Sequence, residues 1–391
     1  GQGSLSAAAD AARVLEALLQ SDQDDPSSPD YLSAASALRD ALLATRPLLQ
    51  HSAHCVLTAG EEAAASASSS ASSLLEEAQD AAHALTCLFT AFVSGSQLER
   101  MCTEVSTSGA DLEVVAMVLH TLTAHPYRRL ALLTQDVWLE VADLSLSQRP
   151  DALRVGLNAQ LLEVLVTQCT YPLDYQGDWD EVNSCGVDED VLGELRGQAS
   201  ASYLTTTSSS SSSSGGGASG GGVGDVLSTC FFVLKSQFFL ALTPRLEAGF
   251  GSGGAGSGGG LVWQPAEAAL FAMASVGKDA VRFVTQELVM VPKVQDRIVI
   301  QHALVTLLLS VLSHVCVSGD ELFRSHPLLL RAGAAVVGAF NPLLFLDPCP
   351  AHTVGFERAK PRLKEASAQV ARAAAAAATA ASAQQQGQQQ A

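Results

Sequence analysis

Basic residues and aromatic residues are both scarce in this chain. It has 391 residues, of which 22 are Lys or Arg and 40 are Asp or Glu, giving a net charge of −18, and 5% are aromatic. A nucleic-acid-binding surface needs Lys and Arg clustered against the phosphates, so the composition argues against direct nucleic-acid binding. The negative charge suits a basic partner, although solubility alone would also explain it.

The eight cysteines have the spacing of neither a disulfide framework nor a zinc site. No two of them stand as CxxC, and they are scattered through apolar helical segments such as the one around Cys87. This pattern is typical of reduced, intracellular cysteines that pack in a core. We therefore expect no metal and no cofactor.

Catalytic and membrane-spanning patterns are also missing from the sequence. The serine tracts hold no GxSxG elbow, and the glycine tracts 215–222 and 249–260 lack the GxxxxGK[ST] pattern that cradles a phosphate. The longest apolar run, 299–317, is interrupted by Gln, His and Ser residues, which predicts a buried helix and no membrane span. An α-helical enzyme would need a pocket with perturbed titratable groups, and nothing in the sequence indicates one. We therefore expect that the protein is not an enzyme.

Helical patterning is what the sequence contains in abundance. Hydrophobic residues make up 48%, many of them alanine, which favours helices. About a dozen helical segments follow one another in pairs at a pitch of roughly 40–47 residues, the spacing of HEAT-like arrays. The pattern predicts an all-α fold, an α-solenoid of HEAT/ARM-like antiparallel helical hairpins with low-complexity Ser/Gly loops.

Composition divides the chain into helical and low-complexity segments. We expect a helical hairpin at 1–59, a low-complexity linker or frayed helix extension at 60–73, HEAT-like repeats at 74–204, a disordered Ser/Gly-rich insert at 205–224, a helix at 225–248, a Gly-rich loop at 249–260, HEAT-like repeats at 261–381 and a disordered Gln-rich tail at 382–391.

Local patterns within these segments give sharper predictions. Asp111 is the candidate N-cap of a helix over 111–124, and Pro265 is expected to open a helix over 261–278. One apolar stripe at positions i, i+3, i+4 and i+7 predicts a buried helix face, formed by Leu85, Leu88, Phe89 and Phe92.

With this organisation in place, several stretches resemble the importin-β superfamily of nuclear transport receptors, in its branch of the SR-protein transportin and importin-thirteen. The most specific is WQPAEAALFAMASVGKDA, residues 263–280, which resembles a helix start with Trp, Glu-Ala and Leu-Phe at fixed places. The three other stretches, in the same order as in the family, are LTCLFTAFV at 85–93, the segment 112–143, and one that runs from Tyr171-Pro172 through the acidic segment to DEDVLGELR at 188–196.

The resemblance implies a receptor segment that binds basic or Arg/Ser-rich protein cargo under the control of Ran in its GTP state. It further implies contacts with nucleoporins and shuttling between nucleus and cytoplasm. The family's Ran-binding N-terminal repeats are not recognisable, so we expect a middle segment or a shortened relative. A HEAT-repeat scaffold or adaptor unrelated to nuclear transport is the alternative.

Two groups of residues are the candidate sites. The partner-binding candidates are acidic residues on one predicted loop: Asp174, Asp178, Asp180, Glu181, Asp188, Glu189 and Asp190. The competing explanation is that these residues form a solvated loop that binds no partner. The resemblance assigns a structural role to Trp138, Trp263, Glu267 and Phe271. The helical spacing of the two tryptophans among leucines predicts core packing more strongly than an exposed anchor for cargo.

Overall fold

The described part of the chain is all-helical, which confirms the predicted fold class at that level. The computed structural model describes residues 9–13, 15, 29–65, 69–94, 96–102, 108–172, 175, 191–196, 222–250, 263–287 and 327–344. No strand occurs within these ranges.

Thirteen helices have defined bounds within the described residues. In chain order they are α1 (Pro29–Ala44), α2 (Arg46–Ala65), α3 (Ser69–Val93), α4 (Ser96–Cys102), α5 (Gly109–Met117), α6 (Arg129–Leu133), α7 (Gln135–Asp143), α8 (Val155–Gln168), α9 (Val223–Leu234), α10 (Ser236–Phe250), α11 (Gln264–Ser275), α12 (Gly277–Arg282) and α13 (Pro327–Leu344). Helix α5 continues into a π-helical turn at Val118–Thr123 and α12 into one at Phe283–Glu287, and a 3₁₀ turn at Asp151–Leu153 precedes α8. Residues 9–13 and 191–196 are also helical.

Of the two forms expected for 60–73, a linker or a frayed helix extension, the described residues have the second. Helix α2 runs to Ala65 and α3 begins at Ser69. The alanines and glutamates of this low-complexity stretch are good helix formers, and they extend both helices. Helices α2 and α3 pack along each other, and Ser52 Oγ of α2 donates a 2.7 Å hydrogen bond to the carbonyl of Ala78 in α3.

The predicted apolar stripe of α3 is buried, as expected from its spacing. Its members are between 0 and 4% exposed: Leu85, Leu88, Phe89 and Phe92. Helix α11 begins at Gln264 with Pro265 in its first turn, which confirms the proline as a helix opener.

Asp111 was wrongly predicted as an N-cap. The N-cap of α5 is Ser108, and Asp111 lies three residues later as its partner in a capping box. The Asp111 carboxylate accepts from the Ser108 backbone N–H at 2.9 Å, while Ser108 Oγ accepts from the Asp111 backbone N–H at 3.2 Å. Asp111 also pairs with Arg39 of α1 at 3.2 Å, so the cap ties α5 to α1.

The single helix expected at 225–248 is two helices, α9 and α10, bent by 116° at Lys235. Lys235 has a φ of 51°, in the left-handed region. The bend folds Phe238 of α10 back onto Phe231 of α9, with ring centroids 5.9 Å apart, and Lys235 Nζ lies 4.4 Å from the ring centroid of Phe283. Burial of this aromatic cluster stabilises a corner that helix propensity alone would not form.

Helices close along the chain make the main contacts. Helix α8 packs against α9, α10 and α11, and α11 packs against α10 and α13. One core cluster contains buried residues from Ala9 to Phe340. Among the described residues, no single helix is long and apolar enough to span a membrane, and only the bent pair of α9 and α10 together meets that criterion.

Candidate functional site

A buried ion pair between Arg196 and Glu267 is the centre of the most distinctive polar cluster. Arg196 belongs to the helical residues 191–196 and is 7% exposed, while Glu267 lies in the first turn of α11 and is 4% exposed. The contact is bidentate, with Nη1 to Oε1 at 2.9 Å and Nη2 to Oε2 at 2.7 Å. Nη2 also donates to the carbonyl of Cys169, the C-cap of α8. One guanidinium therefore links three separate helical segments.

Two aromatic rings enclose the same guanidinium. The Cζ atom of Arg196 lies 4.4 Å from the ring centroid of Tyr171 and 4.7 Å from that of Phe271. Tyr171 in turn packs against Trp263, with ring centroids 5.5 Å apart, and against Tyr175, at 4.8 Å. The rings exclude water from the ion pair and add cation–π attraction to it. We call these residues, with Cys169 and Glu267, the Arg196 cluster.

The electrostatics of the Arg196 cluster keep its guanidinium charged. Burial lowers the pKa of Arg196, but the Glu267 carboxylate more than reverses this, so the pKa lies above its ordinary value. Burial also raises the pKa of the Cys169 thiol to about 11. This thiol is therefore protonated at neutral pH and is a poor nucleophile. The arrangement holds helices together and offers no activated group for chemistry.

One donor of the cluster has no acceptor within the described part of the chain. Arg196 Nε is buried and makes no hydrogen bond there. The acidic loop predicted to bind partners, Asp174, Asp178, Asp180, Glu181, Asp188, Glu189 and Asp190, lies outside the described residues. Its role stays a prediction.

The structural candidates divide between two places. Trp263, Glu267 and Phe271 all belong to the Arg196 cluster. Trp138 of α7 is 2% exposed and belongs to a different network, in which its Nε1 donates to Thr123 Oγ1 at 3.0 Å. Thr123 Oγ1 lies 2.9 Å from Thr134 Oγ1, at the break between α6 and α7. Both tryptophans thus lie in the core.

Sequence reasoning missed the pairing of Arg196 with Glu267, although each is a charged residue in an apolar helix. It also missed that His51 stands four residues before Cys55 and His83 four residues before Cys87, so that each histidine faces its cysteine one helical turn later. Each pair supplies two side chains, and the described residues contain no group of three that could hold a metal ion.

Comparison with known proteins adds no relative to this description. No protein-family model, no curated protein and no solved structure matches the chain. The likeness to a receptor family stays a prediction from the sequence.

Proposed function

We propose that the chain is part of a nuclear transport receptor of the importin-β type. In this proposal its helices form an α-solenoid of HEAT-like pairs that binds basic, Arg/Ser-rich protein cargo under the control of Ran-GTP. The observation that carries the proposal is the composition of the Arg196 cluster.

Two of the four stretches that resemble the family contribute to this one cluster. Tyr171 and Arg196 lie at the two ends of the stretch that contains the acidic segment, and Trp263, Glu267 and Phe271 come from the most specific stretch. If the stretches resembled the family only because both are leucine-rich helices, we would not expect the charged and aromatic residues of separate stretches to contact one another. Their meeting in one buried cluster is what supports the proposal.

Helix packing supports the solenoid part of the proposal. The main contacts join helices that are neighbours or near neighbours in the chain, and α2 packs along α3 as a hairpin. Repeat arrays have this property because each repeat contacts chiefly the repeats beside it. A scaffold or adaptor built from the same helices is the second function that this packing fits.

Charge supports a basic cargo. The net charge is −18, and exposed carboxylates such as Glu76, Asp136 and Asp143 occur on α3 and α7. Complementary charge speeds association with Arg-rich segments and makes binding sensitive to salt.

Fluorescence anisotropy with a labelled Arg/Ser-rich peptide tests the proposal on the full-length protein. We expect saturable binding that weakens by about tenfold or more between low and physiological salt, and no binding of a matched peptide with Gln for Arg. Asn and Gln substitutions at Asp188, Glu189 and Asp190 should weaken binding more than a charge-matched control at Glu76, Asp136 and Asp143.

Two results decide against the receptor proposal. Equal binding of both peptides means that Arg is not recognised. Failure to bind either the Arg/Ser-rich peptide or Ran-GTP leaves the scaffold as the better account of the helices.

A further inference from the structure

Two His–Cys pairs with the same spacing lie on the hairpin of α2 and α3. In α2, His51 Nε2 lies 3.7 Å from Cys55 Sγ, and in α3, His83 Nδ1 lies 3.7 Å from Cys87 Sγ. With nine histidines and eight cysteines among 391 residues, fewer than one such i, i+4 pair is expected by chance. The repeated pattern makes these pairs the first place to look for a metal site.

The geometry of the His51–Cys55 pair matches two ligands of a tetrahedral ion. Zinc bonds to sulfur at about 2.3 Å and to imidazole nitrogen at about 2.0–2.1 Å, which at a tetrahedral angle places the two ligand atoms about 3.6 Å apart. The observed separation of the two atoms is 3.7 Å. Residues i and i+4 share a helix face, so the helix backbone already holds both ligands in position.

Access from solvent separates Cys55 from the core cysteines. Cys102, Cys169 and Cys230 are buried, and burial raises the pKa of their thiols to about 12, 11 and 12. Cys55 is only half-buried, and His51 beside it is exposed. An ion in solvent can therefore reach the Cys55 sulfur, whereas the three other thiols are enclosed in the core.

We propose that His51 and Cys55 form a bidentate site for a thiophilic divalent cation of the zinc class, with water at the remaining positions. Within the described ranges no group of three His, Cys, Asp or Glu side chains that could hold a metal exists, so each pair supplies only two ligands. On binding, the Cys55 S–H bond breaks, its proton passes to solvent, and the sulfur and His51 Nε2 each bond to the ion. The ion then joins two successive turns of α2.

Cadmium titration of the full chain tests the site, because thiolate-to-cadmium charge transfer absorbs in the ultraviolet. The parent protein for this test is a variant in which serine replaces four other cysteines: Cys87, Cys185, Cys316 and Cys349. Apart from the buried Cys102, Cys169 and Cys230, Cys55 is then the one remaining thiol. We expect one equivalent of Cd²⁺ to bind. Cys55→Ser should abolish the absorption, and His51→Ala should weaken binding by about tenfold or more.

His54→Ala is the matched control, since position 54 is adjacent to Cys55 and not one turn before it. This variant should bind Cd²⁺ like the parent, and far-ultraviolet circular dichroism checks that all variants keep their helix content. Unchanged affinity in His51→Ala would show that the thiol alone captures the ion and would overturn the proposal. The absence of cadmium absorption in the parent protein would overturn it as well.

Discussion

Replacing Arg196 by methionine leaves the Glu267 carboxylate buried without its counter-charge. The two side chains are 7% and 4% exposed, so water cannot take the place of the guanidinium. Breaking a buried pair by removing one partner costs about 3–5 kcal/mol. Methionine keeps most of the apolar contact with Tyr171 and Phe271 but loses the cation–π attraction, about 1–2 kcal/mol at a desolvated site. We therefore expect Arg196→Met to lower the free energy of unfolding by at least about 3 kcal/mol.

Urea unfolding followed by circular dichroism measures this loss, and a double-mutant cycle separates the pair from its surroundings. Arg196→Met with Glu267→Met should be less destabilised than the single variants predict together, because no unpaired charge stays buried. Glu113→Gln is the control: the pair of Glu113 with Arg46, 3.0 Å apart, is largely exposed and contributes about 1 kcal/mol or less. A loss below about 1 kcal/mol in Arg196→Met, or strict additivity in the double variant, would refute the reasoning.

Three further predictions concern His125, Gly277 and Ser108. Burial lowers the pKa of His125 to about 4, with the Leu49 carbonyl acting in the opposite direction, so below about pH 6.5 the unfolded chain binds more protons than the folded one. The free energy of unfolding should therefore be at its full value above pH 6.5 and should fall by about 2 kcal/mol between pH 7.5 and 5. Urea unfolding at several pH values should show that His125→Gln no longer has this loss. An unchanged pH dependence in the variant would contradict the assignment of the loss to His125. A Cβ on Gly277 would lie 2.4 Å from Cβ of Ala339, so Gly277→Ala should lower the free energy of unfolding by about 1–3 kcal/mol, measured by thermal unfolding. Gly338→Ala is the control, because a Cβ there meets open space and should be neutral or stabilising. Equal effects of the two substitutions would contradict the close approach of α12 and α13. Ser108→Ala removes the N-cap of α5 and should cost about 1 kcal/mol, measured by urea unfolding, and no loss would show that the capping box contributes nothing.

Periodicity and proline placement were enough to predict parts of the fold. The buried face of α3 followed from the spacing of its leucines and phenylalanines, and the start of α11 followed from Pro265. These features depend on residues within one or two turns of each other. For 60–73, low complexity left a linker and a helix extension both open, and its alanines favour the helix that the described residues form.

Features that depend on distant contacts could not be predicted in the same way. The bend at Lys235 is stabilised by phenylalanines of two helices and by Phe283, 48 residues later. Arg196 and Glu267 are 71 residues apart, and nothing near either one identifies the other as its partner. The His–Cys pairs, by contrast, were visible in the sequence at i, i+4 spacing and were overlooked.

Coupling between cargo and Ran-GTP tests the proposed receptor function most directly. The affinity of the full-length protein for an Arg/Ser-rich peptide is measured with and without saturating Ran-GTP, and with Ran-GDP as the control. A transport receptor should show a change in peptide affinity of about fivefold or more with Ran-GTP only, and the peptide should change the affinity for Ran-GTP by the same factor. Identical peptide affinity under all three conditions, with no Ran-GTP bound, would contradict the proposed function.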